Sequence, residues 1–224
     1  YFEYDISGWF LAFILVFFGI IFGDGGYGLI ILAIAAVLIA KSLITKKRID
    51  PAFLLCGLFG LSTILWGTLT CTWFGLSPEQ IPNWLSSLSI PVISNVYEDK
   101  IWYPFWTNGQ AGLTTAQNLQ IFCFTLALIQ LTIAHVKGFI RNKGSLKMLG
   151  DTGSVLQLLG IYYLVLSLVV NPEVFSFSVV ISGIPVGTVS IALIGIGFLL
   201  SFVFSNYEGS IVKSILASLT NIVS

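Results

Sequence analysis

Six long runs of apolar residues dominate this chain and restrict it to one fold class. None of the six carries Asp, Glu, Lys or Arg in its middle. Each is close to the roughly 20 residues that a helix needs to cross a bilayer. Because backbone groups in lipid must find partners within their own segment, we expect every run to be helical. The runs cover approximately residues 6–23, 26–44, 52–75, 117–140, 153–170 and 184–205.

The composition indicates that these runs face lipid rather than a soluble core. Hydrophobic residues make up 56% of the 224 residues, and charged residues only 9%, whereas soluble domains carry about 25% charged residues. We therefore predict an all-α, polytopic transmembrane helix bundle of six spans over residues 1–205, with the lipid bilayer as its surroundings. The formal net charge of zero gives no reason to expect nucleic-acid binding.

The cysteine pattern predicts neither a disulfide framework nor a metal site. The chain has three cysteines, all inside apolar stretches, and none forms a CxxC or a Cys/His cluster. An odd number without metal-ligand spacing is typical of small apolar residues in buried helices. We expect no cofactor. The three are Cys56, Cys71 and Cys123.

The basic residues predict the orientation of the bundle. Short cytoplasmic loops of membrane proteins are enriched in Lys and Arg. If the N-terminus is cytoplasmic, nine of the ten basic residues fall on the cytoplasmic side, and only Lys100 falls outside. Both termini are then cytoplasmic. The nine are Lys41, Lys46, Lys47, Arg48, Lys137, Arg141, Lys143, Lys147 and Lys213.

The segment after the sixth run, residues 206–224, has a different pattern. Its apolar residues recur at helical spacing, and serine, lysine and asparagine fill the other face. This pattern predicts an amphipathic helix on the cytoplasmic surface. The alternative is the start of another packed helix. The apolar positions are Ile211, Ile215, Leu216, Leu219, Ile222 and Val223.

The connection between the first two runs is a tight turn rich in glycine. Glycine tolerates positive φ angles, and small residues four positions apart let membrane helices approach closely. Asp24 can accept hydrogen bonds from the N–H groups that open the second helix, as an N-cap. The alternative is a direct ion or proton site at Asp24. The motif comprises Gly19, Gly23, Asp24, Gly25, Gly26, Tyr27 and Gly28.

A few polar residues interrupt the later runs and are further candidates for an ion path. Gln130 and Gln157 are expected either to form hydrogen bonds between helices or to line a water-filled half-channel. His135 is the sole histidine, and it is either an interfacial residue or a proton relay. The chain has no Ser/His/Asp arrangement, paired carboxylates or HExxH motif, so we do not expect an enzyme.

The glycine-rich turn also carries a resemblance to a known family. Phe22-Gly23-Asp24-Gly25-Gly26-Tyr27-Gly28, after a phenylalanine-rich span, resembles the FGDxGYG signature of the membrane domain of the V-type ATPase subunit I (subunit a) family. Two other stretches are similar to the family. One runs from Gly57-Leu58-Phe59 through Trp66-Gly67 to Trp73-Phe74-Gly75, and the other ends the fourth run at His135-Val136-Lys137-Gly138.

The resemblance implies a place for this chain within a larger protein. Family members have a cytoplasmic N-terminal domain followed by eight membrane helices, so the chain is expected to supply helices one to six. The essential arginine of the family lies on helix seven in a motif resembling LSYxRL, which we do not find here. The implied role is a non-catalytic stator scaffold in a rotary ATPase that transports protons or sodium. The implied partners are a proteolipid rotor ring and peripheral stalk subunits, in a prokaryotic plasma membrane.

Two other functions compete with this interpretation. A self-contained six-helix secondary transporter or channel would predict internal repeats, broken helices and a buried ionisable residue. We find no convincing repeat between residues 1–110 and 111–224, and no charge in the middle of a run. A membrane enzyme would need a nucleophile–base pair, which the sequence does not present.

Overall fold

The computed structural model describes residues 7–46, 48–181 and 183–223, and this part of the chain is mostly helical. A π-helical turn, Leu166–Val170, extends the sixth helix. One-turn 3-10 helices occur at Pro78–Gln80, Asn95–Tyr97 and Phe105–Thr107. The α-helices are α1 Ser7–Phe22, α2 Gly25–Ile44, α3 Pro51–Thr70, α4 Asn83–Ser86, α5 Thr115–Arg141, α6 Lys147–Val165, α7 Val186–Phe204 and α8 Ile211–Val223.

Within the described residues, five helices are long and apolar enough to cross a membrane: α2, α3, α5, α6 with its π-helical turn, and α7. The first predicted span forms α1, which has 16 residues. At 1.5 Å per residue it is about 24 Å long, less than the roughly 30 Å of hydrocarbon. The predicted start of this span at residue 6 lies outside the described residues. The sixth span therefore stays a prediction.

Two helix ends differ from the predicted runs. α3 ends at Thr70 rather than near residue 75, because Cys71 adopts a left-handed conformation with φ 56° that stops the helix. The chain then turns through Trp73 and Phe74 to Gly75. α6 begins at Lys147, well before residue 153. Its first turns contain polar residues, so they lie outside the apolar run that predicted this helix.

A short hairpin precedes α7. Strands β1 (Val180–Ile181) and β2 (Ile184–Pro185) are antiparallel. Val180 pairs with Pro185, and Gly183 has a φ of 85° in the turn between them. Glycine adopts such a conformation without strain.

The chain divides into two compact units, which are described separately. The first holds residues up to Lys100 together with Thr114–Ala116, and the second holds Ile101–Leu113 and the residues from Gln117 onward. In the first unit, α2 and α3 pack along glycines: a Cβ atom at Gly28 would lie 2.7 Å from the backbone N of Ile64. α1 packs on α3, where the Ser62 hydroxyl donates to the Leu15 carbonyl.

In the second unit, α6 and α7 are also packed closely through glycine. A Cβ atom at Gly153 would lie 2.7 Å from the carbonyl oxygen of Gly197. Close backbone approach of this kind is common between membrane helices, where packing replaces the hydrophobic effect. A small core of buried apolar side chains lies beside the π-helical turn. It consists of Leu113, Leu166, Val170, Val174 and Phe175.

The helix α8 turns its polar face toward the protein. Ser214 and Ser218 are buried, and the Ser218 hydroxyl donates to the carbonyl of Phe202 at the end of α7. Two apolar side chains of α8 are exposed instead, Val212 at 67% and Leu216 at 58%. The serine side of α8 therefore forms its contact with α7.

Candidate functional site

Asp24 lies at the turn between α1 and α2 and is 94% buried, with 6% of its surface exposed. The predicted N-cap is present: Oδ1 accepts hydrogen bonds from the N–H groups of Gly26 at 2.7 Å and Tyr27 at 3.4 Å. The carboxylate also accepts from the segment after α3, through the Phe74 N–H at 2.9 Å and the Gly75 N–H at 3.1 Å. Asp24 thus joins the start of α2 to the end of α3 through four backbone donors.

Glycines around Asp24 make this join possible. A Cβ atom at Gly67 on α3 would overlap the backbone N of Gly25. The Gly25 N–H also donates to the Thr72 carbonyl at 2.9 Å. A Cβ atom at Gly26 would lie 2.5 Å from the Phe74 ring. The close approach of α2 and α3 therefore brings the aspartate to its second pair of donors.

The other motif residues surround this join. Gly23 has a φ of 62°, which glycine adopts without strain. A Cβ atom at Gly19 would lie 2.7 Å from the Ser62 hydroxyl oxygen, so glycine is needed where α1 meets α3. Tyr27 is 54% exposed, and its ring meets that of Phe74 edge-on at 6.2 Å. The motif residues therefore pack the ends of α1 and α2 closely against α3 and the segment after it.

His135 lies near the end of α5, where it faces a carboxylate on α6. Its Nδ1 is 3.7 Å from Oδ1 of Asp151, and the side chains are 35% and 19% exposed. The Asn142 amide donates to Oδ2 of Asp151 at 2.9 Å. The sequence interpretation missed Asp151, because this residue precedes the fifth apolar run. In the sequence, Asp151 stands in a short polar segment between two apolar runs, and that position does not specify a partner.

Gln130 lies on α5 and is partly buried. Within the part of the chain that the structure describes, its side chain has no hydrogen-bond partner, and the expected bond between helices is not found there. The same holds for Gln157 on α6. Neither glutamine therefore ties its helix to a neighbour among the described residues.

Gln157 borders an open cleft of about 250 Å³ in the second unit, lined by both polar and apolar side chains. The Asn206 amide donates to the Ser218 hydroxyl at 3.1 Å at this cleft. Nearby, the hydroxyl oxygens of Ser154 and Ser201 are 3.1 Å apart. Phenylalanine rings complete the wall. The polar lining consists of Gln157, Ser201, Ser205, Asn206, Ser218 and Asn221. Such a lining can hydrogen-bond water or a polar group, and it carries no formal charge.

The four predicted ion-path residues are divided between the two compact units. Asp24 belongs to the first unit, and His135, Gln130 and Gln157 belong to the second. In residues 7–46, 48–181 and 183–223, no three His, Cys, Asp or Glu side chains are grouped to hold a metal ion.

Comparison with known proteins identifies relatives that this chain resembles over its whole length. The chain is 34% identical over 223 residues to V-type ATP synthase subunit I 1 of Treponema pallidum, and this match covers all of the chain and 32% of that protein. It is 32% identical over 227 aligned positions to V-type ATP synthase subunit I of Borreliella burgdorferi, again over the whole chain and 33% of the relative. Over its whole length the chain is therefore similar to the V-type ATPase subunit I family. The resemblance predicted from the glycine-rich turn is thereby confirmed.

The extent of the match also limits what it transfers. The chain spans about a third of the length of these two relatives. No family model matches the chain, and no solved structure matches it. Five apolar helices of spanning length among the described residues, together with this similarity, indicate an integral membrane protein.

Proposed function

We propose that this chain is a membrane-embedded stator portion of a rotary V-type ATPase that transports protons or sodium. The observation that carries the proposal is the similarity to proteins named V-type ATP synthase subunit I, which extends over the whole chain. The apolar helices of the described residues suit such a membrane portion. In this proposal the chain itself is non-catalytic, and other subunits hydrolyse or synthesise ATP.

The chain would contribute structure rather than the charge that moves the ion. A rotary pump needs a fixed positive charge near the rotor carboxylate, because a nearby opposite charge favours the ionised form of that carboxylate. Such a charge inside the bilayer is costly and stands out in a sequence. No apolar run here has Lys or Arg at its centre. We propose that the essential arginine belongs to another part of the subunit and that these helices support it.

The proposed topology has six spans with both termini on the cytoplasmic side of a prokaryotic plasma membrane. It is supported by the distribution of basic residues, nine of ten on one side. The proposed partners are a proteolipid rotor ring and the peripheral stalk subunits. The exposed apolar surfaces of α5 and α7 are available to lipid or to other membrane helices; they include Ile129 on α5 and Ile191 on α7.

The four candidate ion-path residues separate into two classes by their surroundings. Asp24 has its carboxylate occupied by four backbone donors, which supports a structural role. Gln157 borders an open cleft lined by uncharged polar side chains and phenylalanine rings, which suits water on an ion path. Gln130 and His135 are secondary polar positions on α5 in this proposal. We propose that Gln157 is the strongest ion-path candidate of the four.

The proposal is tested with two preparations from the native membrane, each reconstituted in liposomes. One is the intact ATPase complex, and the other is the complete subunit alone. The intact complex in liposomes is expected to show ATP-driven ion uptake, with the subunit co-purifying with other ATPase subunits. The complete subunit alone is expected to show neither ion conductance nor solute uptake. Solute transport by the subunit alone would instead establish the alternative, a self-contained secondary transporter. A subunit that purifies without ATPase partners would contradict the proposal.

A further inference from the structure

The end of α5 and the start of α6 hold a carboxylate in a notch made by glycine. Gly138 faces Asp151 so closely that a Cβ atom there would lie 2.5 Å from Oδ1. Asn142 donates to the other carboxylate oxygen at 2.9 Å, and its own N–H donates to the Gly138 carbonyl at 2.9 Å. Gly138 and Asn142 therefore fix the position of the Asp151 carboxylate beside His135.

The distance to His135 makes this contact sensitive to protonation. At 3.7 Å, Nδ1 of His135 and Oδ1 of Asp151 are too far apart for a good hydrogen bond. A neutral imidazole is therefore held weakly. A protonated imidazole is attracted to the carboxylate by its charge, and histidine is the side chain that ordinarily changes charge between about pH 5 and pH 8.

The charged groups around the pair are mostly basic. Lys137 and Arg141 lie on α5, and Lys143 lies in the turn to α6. Lys147 opens α6, and its Nζ is 3.7 Å from the Glu208 carboxylate in the segment after α7. α7 itself contributes no charged residue. Asp151 is the carboxylate that the structure places beside His135.

The helix α5 depends on a small number of polar contacts with α6. Near one end, the Gln117 amide donates to the Val170 carbonyl at 2.9 Å. In the middle, the hydroxyl oxygens of Thr125 and Tyr162 are 2.7 Å apart. At the other end stands Asp151. A change in the Asp151 contact therefore acts on the end of α5 that leads into the turn.

We propose that His135, Asp151 and Asn142 form a proton-sensitive contact that holds the turn end of α5 against α6 more firmly as pH falls. Asp151 is a positioning residue in this proposal: it touches neither ion nor nucleotide, and it acts through α5. The inference goes beyond the proposed function, because it concerns the local stability of a helix pair and does not require ion transport.

The test is hydrogen–deuterium exchange of backbone amides 138–147 in the complete subunit within its membrane complex. Each measurement is expressed as the ratio of the native protein to His135→Gln at the same pH, which removes the intrinsic pH dependence of exchange. Between about pH 8 and pH 6, the native protein is expected to gain about two- to fivefold protection over the variant, as for a partly exposed ion pair.

Three further variants separate this contact from a general structural effect. Asp151→Asn and Gly138→Ala should each abolish the pH-dependent gain, the first by removing the charge and the second by displacing the carboxylate while His135 remains. Lys147→Gln, which removes the neighbouring ion pair, should leave the gain unchanged. The proposal is overturned if the ratio does not change with pH, or if Lys147→Gln removes the change. Neither result would bear on whether the subunit assembles into an ATPase.

Discussion

The helix pairs α2–α3 and α5–α6 are held together in different ways. In α2–α3, glycines bring the two backbones into contact, and a Cβ atom at Gly60 would lie 2.7 Å from the backbone N of Leu32. In α5–α6, side chains reach across, as in the contact of Thr125 with Tyr162 at 2.7 Å. One pair depends on the absence of side chains at a few positions, and the other depends on the presence of particular polar groups.

This difference predicts unequal sensitivity to substitution. Added volume between touching backbones has no room, because neither backbone can rotate away as a side chain can. A lost hydrogen bond between membrane helices costs less, averaging about 0.6 kcal/mol in measured cases, since the separated groups find other partners. We therefore expect α2–α3 to be the rigid part of its unit and α5–α6 to be the adjustable pair.

The largest effect is expected from Gly67→Ala. The new Cβ atom would overlap the backbone N of Gly25, so α2 and α3 must move apart. We expect a loss of about 3 kcal/mol or more of stability, near the upper range for overpacking. Thermal unfolding of the purified subunit measures it.

The matched control is Gly57→Ala on the same helix. There the new Cβ atom would meet the Cβ of Ala35 at 3.7 Å, an ordinary contact. Alanine also has the higher helix propensity, by about 1 kcal/mol. Equal melting temperatures for the two variants would show that α2 and α3 are not packed as described.

The next effect in size is expected from Asp24→Ala. The change leaves the N–H donors of Phe74 and Gly75 without their acceptor and removes an N-cap, at a combined cost of about 2 to 3 kcal/mol. The rate at which Cys71 is labelled measures how far the segment after α3 loosens. Cys71 is 1% exposed, and burial raises the pKa of its thiol. The reactive thiolate is therefore scarce in the native protein, and maleimide labelling of Cys71 should become about tenfold faster in the variant.

Asp50→Ala provides the control for that experiment. Asp50 is also an N-cap, but it is exposed and accepts one hydrogen bond, from the Ala52 N–H at 2.9 Å. We expect a cost of about 1 kcal/mol and no change in Cys71 labelling. If both variants label Cys71 alike, the bonds from Asp24 to the segment after α3 do not hold that segment in place.

The smallest effect is expected in α5–α6. Thr125→Val and Tyr162→Phe each remove one partner of the contact between these helices. A double-mutant cycle should give a coupling energy of about 0.6 kcal/mol, up to roughly 1.7. Melting temperatures of the native protein, both single variants and the double variant supply it. A coupling energy of zero would show that this contact does not help to hold α5 against α6.

The sequence predicted what depends on local pattern. The apolar runs indicated the long helices, and the position of Asp24 before the second run indicated its N-cap. The bonds from Asp24 to Phe74 and Gly75 were not predictable, because they need α2 and α3 to lie side by side. The alternation in the tail indicated the helix α8 but not that Ser214 and Ser218 face the protein.

Charge in the connecting segments was harder to interpret. Asp151 stands between two apolar runs, and residues in such a position are usually solvated. Its partner His135 is 16 positions away along the chain, on the preceding helix. Only the antiparallel packing of α5 and α6, with Gly138 leaving room, brings the two together. The periodicity of the sequence does not predict such a pairing, because the tertiary structure sets it.

The central claim is that Asp24 is a structural joint and not part of the ion path. The direct measurement is ATP-driven ion uptake by the complex carrying Asp24→Asn, divided by the amount of assembled complex. Asparagine keeps an oxygen acceptor for the N-cap but cannot carry a negative charge. We expect less assembled complex and a rate of ion uptake per complex close to that of the native protein. Full assembly with no ion uptake would contradict the claim.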